Sequence, residues 1–512
     1  MLAKVQSYAL SGLEGVAVTV ETDISRGLPA YDMVGLPDAA VKESKERVRS
    51  AVKNSGLEFP AHKITVNFAP AYVKKEGSAF DLSIAVSLLL AYGELQADVD
   101  GVIFLGELAL SGELRPVTGV LPSIISARDR GYTNFIIPKA NEKEAGYVQG
   151  VNVYAAATLK EVVDHLSGLA PLPKLSAYDF SALKEATKGG GYDLAFVKGQ
   201  EIAKRALEVA VAGGHNVLFV GPPGSGKTML ARSLPSIMPD LAFEEALEIT
   251  KIHSVAGTLG EEGIVTVRPF RSPHHTATTV SLCGGGNKTV HPGEISLAHG
   301  GVLFLDELPE YKRSALEALR QPLEDGVITI SRSGGTVTYP ASFMLCASMN
   351  PCPCGHYGSK KRRCACTPND IRRYKARISG PLLDRIDIQV EVDGVDYEAL
   401  VSETREESSA TVKARADGAR RIQRARFENS DIANNAEMGE REMRAYCRLD
   451  EECESVLKEA FEQLHLSARA RSRILKVART IADLDMAEHI RPEHLYEAIS
   501  YRTYGAETDE LD

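Results

Sequence analysis

The run Gly221, Pro222, Pro223, Gly224, Ser225, Gly226, Lys227 and Thr228 constrains this chain more than any other part of it. It meets the pattern G-x-x-x-x-G-K-[ST] at every fixed position. Val217–Val220 before it reads as a short apolar strand, and Met229–Leu234 after it suits a helix. A strand, a glycine-rich turn and a helix N-terminus in that order make an anion cradle. Backbone N–H groups point at phosphate, and the helix end adds favourable partial charge. Lys227 is expected to reach the β- and γ-phosphates of ATP, and Thr228 to hold Mg²⁺. A glycine-rich turn that binds no nucleotide is the bland alternative, and the agreement of motif with flanks speaks against it. The fold class that follows is α/β.

Further along, Val302–Leu305 runs apolar into Asp306 and Glu307. Asp306 is expected to help hold Mg²⁺, and Glu307 to polarise the attacking water as a general base. On its own such a pair could be two surface acids capping a strand. Downstream of a complete phosphate loop it reads as the hydrolytic half of the same site.

The length of 512 residues suggests about three domains at ~150 residues each. Residues 1–170 alternate strand and helix: Val16–Glu21, Lys63–Phe68 and Val102–Leu105 read as strands, Phe80–Tyr92 as a buried helix. Residues 171–192 are rich in Pro, Gly and Lys and read as a linker. Residues 193–395 again alternate around the phosphate loop, and residues 396–512 look helical and charged. The strongest apolar run, near Ser83–Tyr92, falls far short of the ~20 residues that cross a bilayer. The start, Met1-Leu2-Ala3-Lys4, carries no signal-peptide pattern. The expectation is a cytoplasmic protein with no membrane partner.

Pro292-Gly-Glu-Ile-Ser-Leu-Ala-His-Gly-Gly-Val-Leu-Phe-Leu-Asp-Glu-Leu-Pro-Glu310 resembles the magnesium-chelatase-like AAA+ ATPases, and more narrowly the ComM/YifB family. Four more stretches carry the likeness: Arg271-Ser-Pro-His-His275, Ser348-Met-Asn-Pro-Cys-Pro-Cys-Gly355, Ser379-Gly-Pro-Leu-Leu-Asp-Arg-Ile-Asp387, and Leu466-Ser-Ala-Arg469 with the helix after it. It covers nearly the whole chain. It implies an N-terminal α+β domain of the ribosomal-protein-S5-domain-2 type, as in Lon proteases. An AAA+ P-loop α/β core with β-hairpin inserts and a helical C-terminal lid would follow. It makes Asn350 the sensor-1 residue, Arg385 an arginine finger supplied to a neighbouring subunit, and Arg469 the sensor-2 residue. A finger acting in trans needs a homo-oligomer, and AAA+ relatives usually form hexameric rings.

Val327–Tyr339 reads from its own residues as a β-hairpin around Ser-Gly-Gly, and resembles the pre-sensor-1 hairpin of this clade. The stretch 268–290, with His274, His275 and Lys288, resembles its helix-2 insert. Arg332 and Lys288 are candidate DNA-phosphate contacts; purely structural insertions are the alternative. Adjacent histidines alone are weak evidence for a metal.

Cys352, Cys354, Cys364 and Cys366 offer four thiolates in one short stretch, the ligand count of a tetrahedral Zn²⁺ site. The C-x-C spacing departs from the common knuckle, so reduced free thiols stay open. Net charge is −10, so DNA would have to meet local basic patches. Lys360, Lys361, Arg362, Arg363, Arg372, Arg373, Lys375 and Arg377 face one acid, Asp370, in sequence. Arg469, Arg471, Arg473, Lys476 and Arg479 form a second cluster with no acid between Leu466 and Ile481. Arg415, Arg420, Arg421, Arg424 and Arg426 form a third, expected to be paired with acids such as Glu403, Glu406 and Glu407.

In the N-terminal domain, Lys75-Glu-Gly-Ser-Ala-Phe80 and Pro116-Val-Thr-Gly-Val-Leu121 align with the Lon protease. The Lon serine falls on Ala79 or Ser78, and its lysine on Leu121. A Ser–Lys dyad without lysine has no base, so no proteolysis is expected. The resemblance implies an ATP-driven DNA motor, of helicase or branch-migration type, in recombination during natural transformation. A chelatase-type or protein-remodelling ATPase without DNA is the alternative.

Overall fold

A computed structural model describes residues 2–187, 192–286, 290–332, 335–359, 362–394, 406–430, 432–464 and 466–502. Two sheets organise these residues. The first contains β1 (Leu2–Ser11), β2 (Glu14–Ser25), β3 (Ala30–Val34), β4 (Lys63–Ala69), β5 (Val102–Phe104), β6 (Asn134–Pro138) and β7 (Asn152–Ala156). Their order is β3-β4-β2-β1-β5-β6-β7. β1 and β2 pair antiparallel through a tight turn, while β5, β6 and β7 run parallel. Alternation of buried and partly buried positions along β4 is that of a strand with one face more deeply covered. Helices α1 (Ala39–Asn54) and α2 (Asp81–Tyr92) cover that face, and α3 (Val120–Arg128) packs on the other, against Tyr8, Ile103 and Phe135. α2 is buried along nearly its whole length, which is why its sequence shows no amphipathic period.

Between the sheets the chain departs from expectation. The segment expected as a linker contains helix α4 (Phe180–Thr187). Phe180 is buried in a small cluster with Tyr147, Leu241 and Ile249, and Lys184 Nζ donates to the Leu241 carbonyl at 3.0 Å. Pro and Gly set the composition there, but Phe180 and Leu183 pack into that cluster and dock it.

The second sheet contains β8 (Val217–Val220), β9 (Phe270–Arg271), β10 (Val302–Leu305), β13 (Met344–Met349) and β14 (Ile388–Glu391). Strands β11 (Val327–Arg332) and β12 (Gly335–Pro340) form the expected hairpin outside it. The order β9-β10-β13-β8-β14 is parallel throughout. Its central strands are buried at every position, as expected for a parallel sheet covered on both faces. α5 (Glu201–Gly213) and α6 (Lys227–Ile237) pack on it, while α7 (Phe243–Ala256) sends Ala246 and Ile249 into the cluster around Phe180. After β14 come the helices α8 (Ser409–Arg426), α9 (Glu451–Gln463), α10 (Ala468–Leu484) and α11 (Pro492–Ser500). They share one apolar core with α5 and with one face of this sheet. The expected boundary at 395 falls outside the described residues.

The two sheets' layers touch through α7. Ser254 Oγ donates to Glu144 at 2.6 Å, and Gly119 N–H to the Ser254 carbonyl at 3.2 Å. The β1–β2 turn reaches the hairpin, where a Cβ on Gly12 would lie 2.6 Å from Val337. Among the described residues, no helix is long and apolar enough to cross a membrane.

Candidate nucleotide site

In an open α/β sheet, ligands bind beyond the carboxyl ends of the strands, and here the phosphate loop, Asp306, Glu307 and Asn350 all follow such ends. The phosphate loop leaves β8 and opens α6. Gly221 has no room for a side chain, since a Cβ would sit 2.1 Å from the Val392 carbonyl oxygen. Gly226 takes φ +92° where the loop turns into the helix. Lys227 Nζ donates to the Gly221 and Pro222 carbonyls at 2.7 and 2.8 Å. Burial pushes its ammonium pKa below the usual lysine value, against the opposing pull of Asp306 and Glu307.

β10 is separated from β8 only by β13, so its last residues reach the loop. Thr228 Oγ1 donates to Asp306 Oδ2 at 3.2 Å, and Ser348 Oγ on β13 donates to Asp306 Oδ1. Both oxygens of the carboxylate are thus aimed by neighbours, a suitable arrangement for one Mg²⁺ ligand shared with the threonine. Glu307 follows at φ +54°, a left-handed conformation that costs of order 1–3 kcal/mol in a non-glycine residue. Its carboxylate meets His275 Nδ1 at 3.1 Å. His275 stacks on His274 at 4.1 Å between ring centroids, and Tyr311, whose hydroxyl donates to the Pro273 carbonyl at 2.5 Å, stands edge-on to it. Asn350 follows β13 directly and is half-buried.

Arg385 and Arg469 lie elsewhere, and together. Arg385 forms an ion pair with Glu324 and donates to the Pro381 carbonyl at 2.7 Å. Arg469 is 71% exposed, with Asp384 at 3.9 Å, and its charge also acts on Glu324. Arg385 lines a cleft of about 1060 Å³ with Arg268, Arg420, Arg473 and Lys476, and no phosphate-loop residue lines it.

The cysteines converge. The four Sγ atoms lie within 4.8 Å of one another. Three of the separations are 3.3, 3.7 and 3.6 Å. A tetrahedron with Zn–S near 2.3 Å has S···S near ~3.8 Å. Tyr357 N–H points at Cys352 Sγ and Cys366 N–H at Cys364 Sγ, and N–H groups of Ala365 and His356 draw the Cys354 thiol down to about 6.

Comparison with known proteins settles the family. The magnesium chelatase subunit ChlI family matches residues 193–400, its C-terminal model residues 406–502, and a further ChlI model residues 20–141. The chain is 46% identical to uncharacterized protein YifB of Escherichia coli over 504 residues, 98% of this chain and 97% of that one. It is 44% identical to competence protein ComM of Haemophilus influenzae over 509 residues, again 98% and 97%. The chain belongs to the ComM/YifB family. As a member it is a magnesium-chelatase-like AAA+ ATPase. A weaker likeness to Lon protease 2 of Bacillus subtilis, 28% over 126 residues, covers 24% of this chain and 22% of that one.

Several features were not legible beforehand for a member of this family. Nothing near His275 in sequence marks Glu307 as its partner, and nothing near Ser348 marks Asp306. Gln200, at φ +63°, spans from the Ser225 carbonyl to that of Asp393, and nothing in its local sequence marks it. The second basic cluster needs correction: Arg479 is buried on Asp483, Arg473 pairs with Asp387, and Lys476 donates to the Ala436 carbonyl. Three of the five bases are thus taken up inside the fold, and Arg469 and Arg471 alone of this cluster are exposed. In the third cluster Arg415 pairs with Glu407, as expected, and also with Glu208, while Arg426 pairs with Asp483. Arg362, Arg363, Arg372 and Arg373 of the first cluster are exposed. Lys288 and the Arg332 side chain lie outside the described residues. Ser78 Oγ donates to Glu107, a partner the sequence did not suggest, and Leu121 is buried.

Proposed function

We propose that this chain is an ATP-driven DNA motor, of helicase or branch-migration type, that serves recombination during natural transformation. The observation that carries the motor half is the meeting of Thr228, Asp306 and Ser348 beneath the phosphate loop. Lys227 binds the β- and γ-phosphates once it leaves its loop carbonyls. Thr228 and Asp306 hold Mg²⁺, Glu307 activates water, and Asn350 orients it. Arg385 and Arg469, which share the Glu324 and Asp384 neighbourhood away from their own loop, serve the nucleotide of an adjoining subunit in a ring, of hexameric type. The four cysteines hold zinc.

The DNA half is supported by likeness to competence protein ComM over the full length and by the exposed arginines around the cysteine loop. The chelatase name of the matching family favours a second reading, a subunit that drives metal insertion into a porphyrin. Measuring ATPase activity with single-stranded DNA, branched DNA or no DNA separates the two. Stimulation by DNA is expected. Turnover indifferent to every DNA form would sink the DNA reading and leave the ATPase standing.

A further inference from the structure

We propose that the four-cysteine cluster is a brace for the phosphate loop, so that zinc occupancy sets the affinity for nucleotide. This rests on the reading of the cysteines as a zinc site and adds a task to it. The cluster begins two residues after Asn350, at the end of the strand that carries Ser348 to Asp306. It ends at Cys366, one residue before the Thr367 cap of the helix Pro368–Lys375. That helix is anchored by buried Ile371 and Tyr374, and the Asn350 backbone bonds the Tyr374 hydroxyl. The metal would therefore close a loop whose two ends are already fixed beside the nucleotide site.

The contact with the phosphate loop is direct. Gly355, at φ +79°, lies against the ring of Pro223, where a Cβ would come within 2.6 Å of Cδ and 2.9 Å of Cγ. Gly355 N–H also donates to the Cys352 carbonyl at 2.9 Å, which ties this contact to the first ligand. Among the described residues of 352–366, only Cys352 and Gly355 are buried. A loop that buries so little apolar surface depends on its metal for a single shape, and metal binding energy becomes folding energy there. Without zinc the Gly355 wall loosens, Pro223 loses its stop, and the loop N–H groups no longer converge on phosphate.

The test uses full-length protein purified without chelator. Elemental analysis should find about one zinc per chain. Zinc is then stripped with a thiol-reactive mercurial and chelator, both reagents are removed, thiols are re-reduced and Mg²⁺ is restored. Affinity for a fluorescent ATP analogue should fall at least tenfold and return on adding Zn²⁺, with helical circular dichroism unchanged. Gly355→Ala provides a second arm: zinc content should stay at the wild-type value while affinity falls. If stripping unfolds the whole chain, this variant decides alone, and wild-type affinity in it overturns the brace. Stoichiometric zinc with unchanged affinity in stripped protein also overturns the brace but leaves the zinc site. Absence of zinc from pure, nucleotide-binding protein overturns both.

Discussion

Asp306 and Glu307 are adjacent acids that the backbone sends to different neighbours. The left-handed backbone of Glu307 turns its carboxylate away from Asp306 and toward His275. Glu307→Gln should therefore bind ATP but fail to turn it over, whereas Lys227→Ala should lose binding itself; equilibrium binding beside steady-state ATPase checks both. Wild-type turnover in Glu307→Gln would remove that residue from the base role. His275→Ala should lower kcat about tenfold, ~1.4 kcal/mol, with nucleotide affinity unchanged, because it removes positioning rather than contact with phosphate. Partial recovery in His275→Asn, which keeps a donor, is the expected signature; equal loss in both variants would point to packing instead. Ser78 donates to a carboxylate, but no lysine stands at position 121. Ser78→Ala should leave ATPase activity intact, and wild-type protein should cleave no unfolded casein. Cleavage that vanishes in the variant would restore the protease.

At the scale of elements, the helix Ala468–Leu484 is the instructive case. Its sequence presents a basic face, yet its inner side carries a closed network. Asp483 accepts from Arg479 at 3.1 Å, from Arg426, and from Asn435 at 2.8 Å. Asp483 and Arg479 are 1% and 2% exposed. Removing the carboxylate leaves two guanidinium groups with little solvent. Asp483→Ala should destabilise the fold by about 3–5 kcal/mol, read as a shift of the urea midpoint. A change below ~1 kcal/mol would show that water reaches the network. The same comparison separates motif from pattern. The hairpin and the phosphate loop were legible because their turns need particular residues at fixed offsets. The docked helix Phe180–Thr187 was not, because its stability comes from Tyr147, Leu241 and Ile249, contributed by remote parts of the chain.

For the whole molecule, the separation of Arg385 and Arg469 from the phosphate loop of their own chain bears on assembly. On the proposed mechanism, Arg385→Ala binds ATP nearly normally and hydrolyses it far more slowly, by ~10³-fold for a full arginine finger. Mixed with Lys227→Ala, it should regain part of the activity, because some sites then pair an intact loop with an intact arginine. The regain should rise with protein concentration as rings assemble. Mixed assemblies that form and stay inactive at every ratio would refute the trans role. What the sequence determined by itself is what short-range chemistry dictates. The glycines and lysine of the phosphate loop, the acid pair after an apolar strand, the hairpin turn and the four thiols each carry their reason within a few residues. The tertiary structure alone decided what meets across the chain: His275 on Glu307, Ser348 on Asp306, Gly355 on Pro223, and Asp387 on Arg473. Those pairs lie on separate strands, loops and helices, and only the order of strands in the sheet and the packing of helices on it bring them within bonding distance.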